Sequence, residues 1–342
     1  MNITFLVGNG FDINLGLKTR YTDFYPKYMA QKHNDVISDA IKDDYKRWAN
    51  LELALGEMLK DISNDRITEF LVSKATLEED LANYLRSEQQ KINLSSTIIQ
   101  DEFQKKVTNI SEDFSTKHKK EFLAWRKSVT SQIRYQFISF NYTSTLDKIV
   151  DKAMQIKQFS THNTNHQTFS DVVGGVLHIH GTLSEELILA LDNVNQIANP
   201  ELQKATELTN YIIKATINEE LGEGKTQRAK QLIDDSEYVC IYGMSLGETD
   251  LMWWKYLVNW LNYRSTRRLV LYVHEDATSN PSGAEKLRQQ DKWKNTFLKT
   301  AGVKSELADK LRKQIIVVLR SNIFTFSAIG LPATNDKELV NA

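Results

Sequence analysis

The residues of this chain that could do chemistry gather at the ends of short apolar runs. Gly8-Asn9-Gly10 follows Ile3-Thr4-Phe5-Leu6-Val7. Two glycines flanking one residue let a chain turn sharply and approach a ligand without interference from a Cβ. Asp12 and Asn14 then stand where a helix could begin, so backbone N–H groups would face the turn and suit a pyrophosphate. The same glycines would equally serve a tight strand-to-helix turn. Asn141, in Asn141-Tyr142-Thr143-Ser144-Thr145, carries an amide that donates and accepts at once, suiting a ribose or an attacking water. It could also cap the following helix. In His178-Ile179-His180-Gly181 the two histidines would share one face of a strand. They could ligate a metal if further ligands joined them, or supply a base at a strand end. Asp192 ends the apolar run 187–192, where it could accept from a ribose or cap a turn. Gly243-Met244-Ser245-Leu246-Gly247 is a second glycine turn, with Thr249 or Asp250 placed to cap a Trp-rich helix.

The elements that must position these residues alternate between strand and helix. Apolar β-type runs occur at 3–7, 135–140, 172–177, 187–192, 238–242, 269–273 and 315–319. Alternation of this kind predicts a parallel α/β sheet of the doubly wound, Rossmann-like type, with ligands beyond the carboxyl ends of the strands. Between the first two strands the period changes to three and four. Ile37, Ile41, Tyr45, Trp48, Leu51, Leu55 and Leu59 form one stripe over 34–61, and 67–83 and 95–129 repeat the pattern. Residues 28–130 therefore read as a large helical insertion after the first strand, with 1–27 and 131–330 forming the α/β domain and 331–342 a frayed tail. Glu52, in Trp48-Ala49-Asn50-Leu51-Glu52, reads as a solvated helix carboxylate, with a Trp–Glu helix signature as the alternative. Residues 158–171, with His162 and His166, are polar and aperiodic and read as an exposed loop.

Composition narrows the classes. The 342 residues carry a net charge of −1, which gives no global electrostatic case for nucleic acid or an anionic membrane. The opening residues run straight into a strand and do not resemble a signal peptide, and no apolar run reaches the roughly eighteen residues a spanning helix needs, so a cytoplasmic protein is expected. Cys240 is the single cysteine, which leaves no disulfide framework within the chain.

The string GNGFDINLGLKTRYTDFYPKY resembles the opening of the bacteriophage abortive-infection AbiH family. The resemblance continues at Phe140-Asn141-Tyr142-Thr143, at His178-Ile179-His180-Gly181 and at Gly243-Met244-Ser245-Leu246-Gly247. Through that family the chain is distantly similar to the sirtuin-like NAD-binding fold. It departs from the ordinary dinucleotide fingerprint, because the third glycine would fall at Ile13. The resemblance implies a phage-defence protein that binds NAD and hydrolyses it at the nicotinamide–ribose bond. It implies catalysis by Asn141 and His180, with His178 in support. Gly8, Asn9, Gly10, Asp12, Asp23, Phe24, Asp192, Gly243 and Ser245 would hold the nucleotide, and no metal is implied. A phage-derived trigger and a homo-oligomer built on the helical faces around Trp48 and Leu55 are the implied partners. A non-catalytic nucleotide sensor and a protein acting on nucleic acid are the alternatives. Sirtuin-like deacylases carry a four-cysteine zinc module that this chain has no cysteines to build. Purified protein is expected to hold no stoichiometric zinc by elemental analysis and to lack peptide deacylation; finding either would count against this reading.

Overall fold

The computed structural model describes residues 1–33, 35–44, 47–94, 96–164, 167–221, 224–274 and 282–327. Tyr45, His166 and the tail 331–342 lie outside the described residues. Seven strands are found among them: β1 Asn2–Val7, β2 Arg134–Ser139, β3 Ser160–Thr164, β4 Gln167–His178, β5 Ser236–Tyr242, β6 Arg268–Val273 and β7 Ile315–Leu319. They form one sheet in the order β3-β4-β2-β1-β5-β6-β7. All neighbours are parallel except β3 and β4, which pair antiparallel. The fold is thus α/β with a mixed, mostly parallel sheet rather than a wholly parallel one.

β1 lies at the middle of the sheet, and every one of its residues is buried. Side-chain alternation divides it between the two faces. Ile3, Phe5 and Val7 pack with helical residues Phe103, Val107 and Phe122, while Leu6 packs on the opposite face with Trp254, Leu257 and Phe297. A strand covered on both sides reads as a continuous apolar run, which is why the sequence signal was strong here.

Two predicted elements are replaced. Residues 158–171 contain the β3–β4 hairpin rather than an exposed loop, because Asp171 is a buried acceptor that organises it. Its carboxylate receives the Ile133 N–H at 3.1 Å and Ser160 Oγ at 2.9 Å, and it pairs with Arg126 at 3.2 Å. His162 Nδ1 lies 2.7 Å from the same carboxylate. Residues 187–192 are not a sheet strand. They make only an isolated bridge, Leu191 to Ile213, and their apolar side chains feed a separate cluster away from the sheet.

That cluster changes the reading of the helical region. The stripe over 34–61 is broken into Val36–Asp43 and Leu51–Met58, with the 3₁₀ turn Arg47–Ala49 between them and a second, Leu59–Asp61, after them. The breaks have local causes: Asp35 accepts from Ile37 N–H and Ser38 N–H, and Asn50 accepts from Leu53 N–H. Short polar side chains offer the backbone such bonds in place of continued helix. Phe24, Trp48, Leu51, Leu55, Phe70, Leu77 and Leu81 then pack with Tyr142, Leu189, Leu191 and Leu208. Trp48 and Leu55, expected to be available to a partner copy, are therefore interior. The helices Thr97–Thr108 and Thr116–Ser128 instead cover a sheet face, so the region divides its packing between two cores.

The sheet's centre is closed by two glycine turns pressed together. Gly8 N–H donates to Tyr242 O at 2.9 Å, and Gly10 N–H donates to Gly243 O at 2.8 Å. A Cβ on Gly10 would stand 2.5 Å from Gly243 Cα, and one on Gly243 would stand 2.7 Å from Phe11 N. Gly243 also has φ +68°, in the left-handed region. Gly243→Ala is expected to lower stability by more than about 2 kcal/mol, combining backbone strain with the clash. Gly247→Ala, with its nearest neighbour at 3.7 Å, should stay within about 0.5 kcal/mol of wild type in denaturant melts.

Candidate functional site

Beyond the carboxyl ends of β1, β2 and β5 lies a cavity of about 930 Å³. Its walls include Gly8, Asn9, Gly10 and Asp12 from the first turn, Asn141 beyond β2, His180 beyond β4, and Gly243 and Ser245 beyond β5. The helical region contributes Glu52, and the segment after residue 187 contributes Lys214.

Several wall residues are held by identifiable contacts. Asn9 clips the following loop, its Nδ2 donating to Thr19 O at 2.9 Å and its Oδ1 accepting from Thr19 Oγ1 at 2.5 Å. Asp12 is buried and accepts from the hydroxyls of Thr143 and Thr145, tying the first turn to the loop beyond β2. Burial pushes its carboxyl up to about 6 against the pull of those two hydroxyls. The helix Ile67–Gln89 braces both loops from outside. Tyr84 Oη donates to Lys18 O at 2.8 Å, and Gln89 Oε1 accepts from Ser144 N–H at 2.6 Å.

Asn141 and His180 are both buried, and each presents an unsatisfied polar atom among the described residues: Oδ1 of Asn141 and Nδ1 of His180. Buried polar atoms without partners are costly, and a ligand hydroxyl or a water would relieve both. His180 Nε2 lies 3.8 Å from Asp250 Oδ1, beyond direct hydrogen-bond distance, and its ring packs edge-on against Phe140 at 5.5 Å. Burial and the Lys214 charge press its imidazole down to about 4, so it is neutral at physiological pH. The glycine after it is required by geometry. Gly181 has φ +74°, and a Cβ there would fall 1.6 Å from Glu186 O.

His178 has a different task from the one inferred. It supports Asn141 rather than His180: Nδ1 donates to Asn141 O at 2.9 Å, and Nε2 lies 3.0 Å from Asp147 Oδ2. Both ring nitrogens face acceptors, so the doubly protonated ring fits best. Burial alone would lower its pKa, but Asp147 and the Asn141 carbonyl together raise it.

The sequence reading missed the acidic and cationic cluster. Glu52, expected in solvent, is buried, and Lys214 Nζ donates to its Oε2 at 2.9 Å and to Thr249 O at 3.2 Å. Burial drives the Glu52 carboxyl up to about 7, against the pull of Lys214. Burial would lower the Lys214 ammonium, but Glu52, Asp250 and Asp192 raise it. Asp250 does not cap its helix through its side chain. Burial would raise its carboxyl, yet His180 and Lys214 outweigh that and hold it below the usual range. The only signal for this cluster in the sequence was an acid beside Trp48 on an apolar helix stripe.

Three predicted binding residues are not brought to the cavity wall. Asp23 accepts from Arg20 N–H at 3.1 Å at the start of the helix Tyr21–Ala30, and Phe24 is buried in the separate cluster. Asp192 accepts from Met252 N–H at 3.3 Å, closing the start of the helix Leu251–Tyr263. Gly8 and Gly10 do line the cavity, but their N–H groups are already given to the β5 turn and are not open to a pyrophosphate.

The family model described as bacteriophage abortive infection AbiH matches residues 4–272. The chain belongs to the AbiH family. The match runs from β1 into β6 and so includes Glu52, Asn141, His180, Lys214 and Asp250. A search of curated proteins found no match. AbiH membership associates the chain with phage abortive infection. Among the described residues no helix is long and apolar enough to cross a membrane.

The His178–Asp147 pair sets a pH dependence. A histidine whose folded pKa is raised adds stability that is fully present below its unfolded value of about 6.5 and is lost as pH rises through the folded value. Asp147→Asn should remove that increment. The wild-type melting temperature should therefore exceed that of Asp147→Asn most at pH 6 and below, with the gap shrinking toward pH 8. A gap that widens with pH would refute the pairing.

Proposed function

We propose that this AbiH protein acts in phage defence by binding NAD⁺ and hydrolysing it at the nicotinamide–ribose bond. The observation that carries the proposal is the pair of orphaned buried atoms, Asn141 Oδ1 and His180 Nδ1, lining one cavity of about 930 Å³. A volume of that order suits a nucleotide-sized ligand. The parallel strands, taken in chain order, run 3-2-1-4-5-6 across the sheet, an order that supports a doubly wound, Rossmann-like reading, and the cavity borders the strand ends of β1 and β5, where the order reverses. The sirtuin-like resemblance of the glycine turns and the His180-Gly181 pair points the same way.

The chemistry asks little covalent work of the protein. The bond between the ribose anomeric carbon and the pyridinium nitrogen breaks, its electron pair leaving with neutral nicotinamide. Water adds to the anomeric carbon and loses a proton, giving ADP-ribose. His180, neutral with Nε2 turned toward Asp250, keeps a lone pair on Nδ1 to accept from a ribose hydroxyl or the attacking water. Asn141 fixes the other donor, and orientation of this kind supplies several kcal/mol of barrier lowering. Arg20, half-exposed at the cavity wall beside the loop that Asn9 holds, is the candidate for the phosphates.

Asn141→Ala and His180→Ala should each lower NAD⁺ turnover by at least about a hundredfold and abolish phage protection, with the purified proteins still folded. His178→Ala should reduce turnover less. Hydrolysis retained in His180→Ala would remove its catalytic role, and a wild-type protein that binds NAD⁺ without turnover would be a sensor instead.

A further inference from the structure

The charge arrangement inside the cavity has no part in the glycine-turn reading of the site. Glu52 and Asp250 both line the cavity with side chains 10% and 16% exposed, and the buried cation facing them there is Lys214, 8% exposed. Lys214 already gives hydrogen bonds to Glu52 Oε2 and Thr249 O, and Asp192 adds a third carboxylate to its surroundings. His180, which lines the cavity beside Asp250, brings a neutral ring rather than a second cation. Arg20, the other fixed cation on the wall, has a side chain 57% exposed and pairs with Asp23 at 4.0 Å. The interior thus holds more negative than positive charge, while the exposed side offers a guanidinium. Asn141 Oδ1 and His180 Nδ1, both buried and unpartnered, border the same interior.

We propose that Glu52 and Asp250 form an anionic wall that selects the positively charged pyridinium ring of an oxidised nicotinamide dinucleotide over the neutral dihydropyridine of the reduced form. The inference rests on the dinucleotide reading of the cavity and adds to it the residues that discriminate the redox state. A pyridinium in a partly desolvated site interacts strongly with nearby carboxylates, because little solvent screens the pair. The same wall favours the positive charge that appears on the ribose as nicotinamide departs, so one arrangement serves both binding and bond cleavage. Lys214, hydrogen-bonded to Glu52, offsets part of the repulsion between the two acids. It also orients Glu52, which comes from a helix outside the sheet.

The test is titration calorimetry with carba-NAD⁺, which keeps the cationic ring but cannot be hydrolysed, against NADH. Wild-type protein should bind carba-NAD⁺ at least about tenfold more tightly than NADH. Glu52→Gln and Asp250→Asn, each confirmed as folded by its melting curve, should each shrink that ratio about threefold or more. In both variants the loss should fall more heavily on carba-NAD⁺ than on NADH. Equal affinity of the two ligands for wild type, or a ratio unchanged in both variants, would overturn the anionic wall while leaving the dinucleotide reading intact. Failure of both ligands to bind would overturn the dinucleotide reading and the wall with it. Using two variants on different elements guards against one of them failing to fold.

Discussion

Two glycine turns are pressed backbone to backbone at the carboxyl ends of β1 and β5, and the cavity walls take their positions from that contact. Gly10 and Gly243 approach so closely that neither tolerates a Cβ, and the carbonyls of Tyr242 and Gly243 take the N–H groups of Gly8 and Gly10. The glycines are therefore explained by turn-on-turn packing. A ligand in the cavity meets them as wall rather than as a row of free donors. From the fixed turn, Asp12 reaches the Thr143 and Thr145 hydroxyls, and those hold the loop that carries Asn141.

A second constraint is the cost of burying charge. Glu52, Lys214 and Asp250 come from three distant stretches of chain and are tolerable in the interior only together, since removing one partner leaves an uncompensated ion. Their meeting fastens the helical region around Trp48 and the segment after residue 187 to the rim of the sheet. The result is a cavity whose floor is α/β scaffold and whose far wall is helical. The acid–base character of the site comes from that far wall as much as from the strand ends.

The helical region also shows why periodicity reads existence better than partnership. A stripe of apolar residues says that a face is buried, not against what. Trp48 and Leu55 fill a core formed with Leu189, Leu191 and Leu208, whereas Phe103 and Phe122 cover the sheet. Likewise the run 187–192 has the composition of a strand but spends its apolar side chains on the helical cluster.

The central strands, the two glycine turns and the placement of Asn141 and His180 at strand ends are legible in residue order alone, because a strand buried on both faces must be continuously apolar and must stop at a residue that permits a turn. The family was legible for the same reason, carried by motifs in fixed order. Which polar residues share the cavity depends on long-range packing. Asp23 and Asp192 look as suitable in the sequence as Asp250, yet they satisfy backbone N–H groups at helix starts, while Asp250 leaves that duty and turns toward His180. His178 and His180 stand two residues apart and diverge in role, one fixing the Asn141 backbone and the other facing the cavity. Local pattern carries no information on such long-range pairings, and it was the burial of Glu52 against Lys214, 162 residues away along the chain, that gave the site its charge.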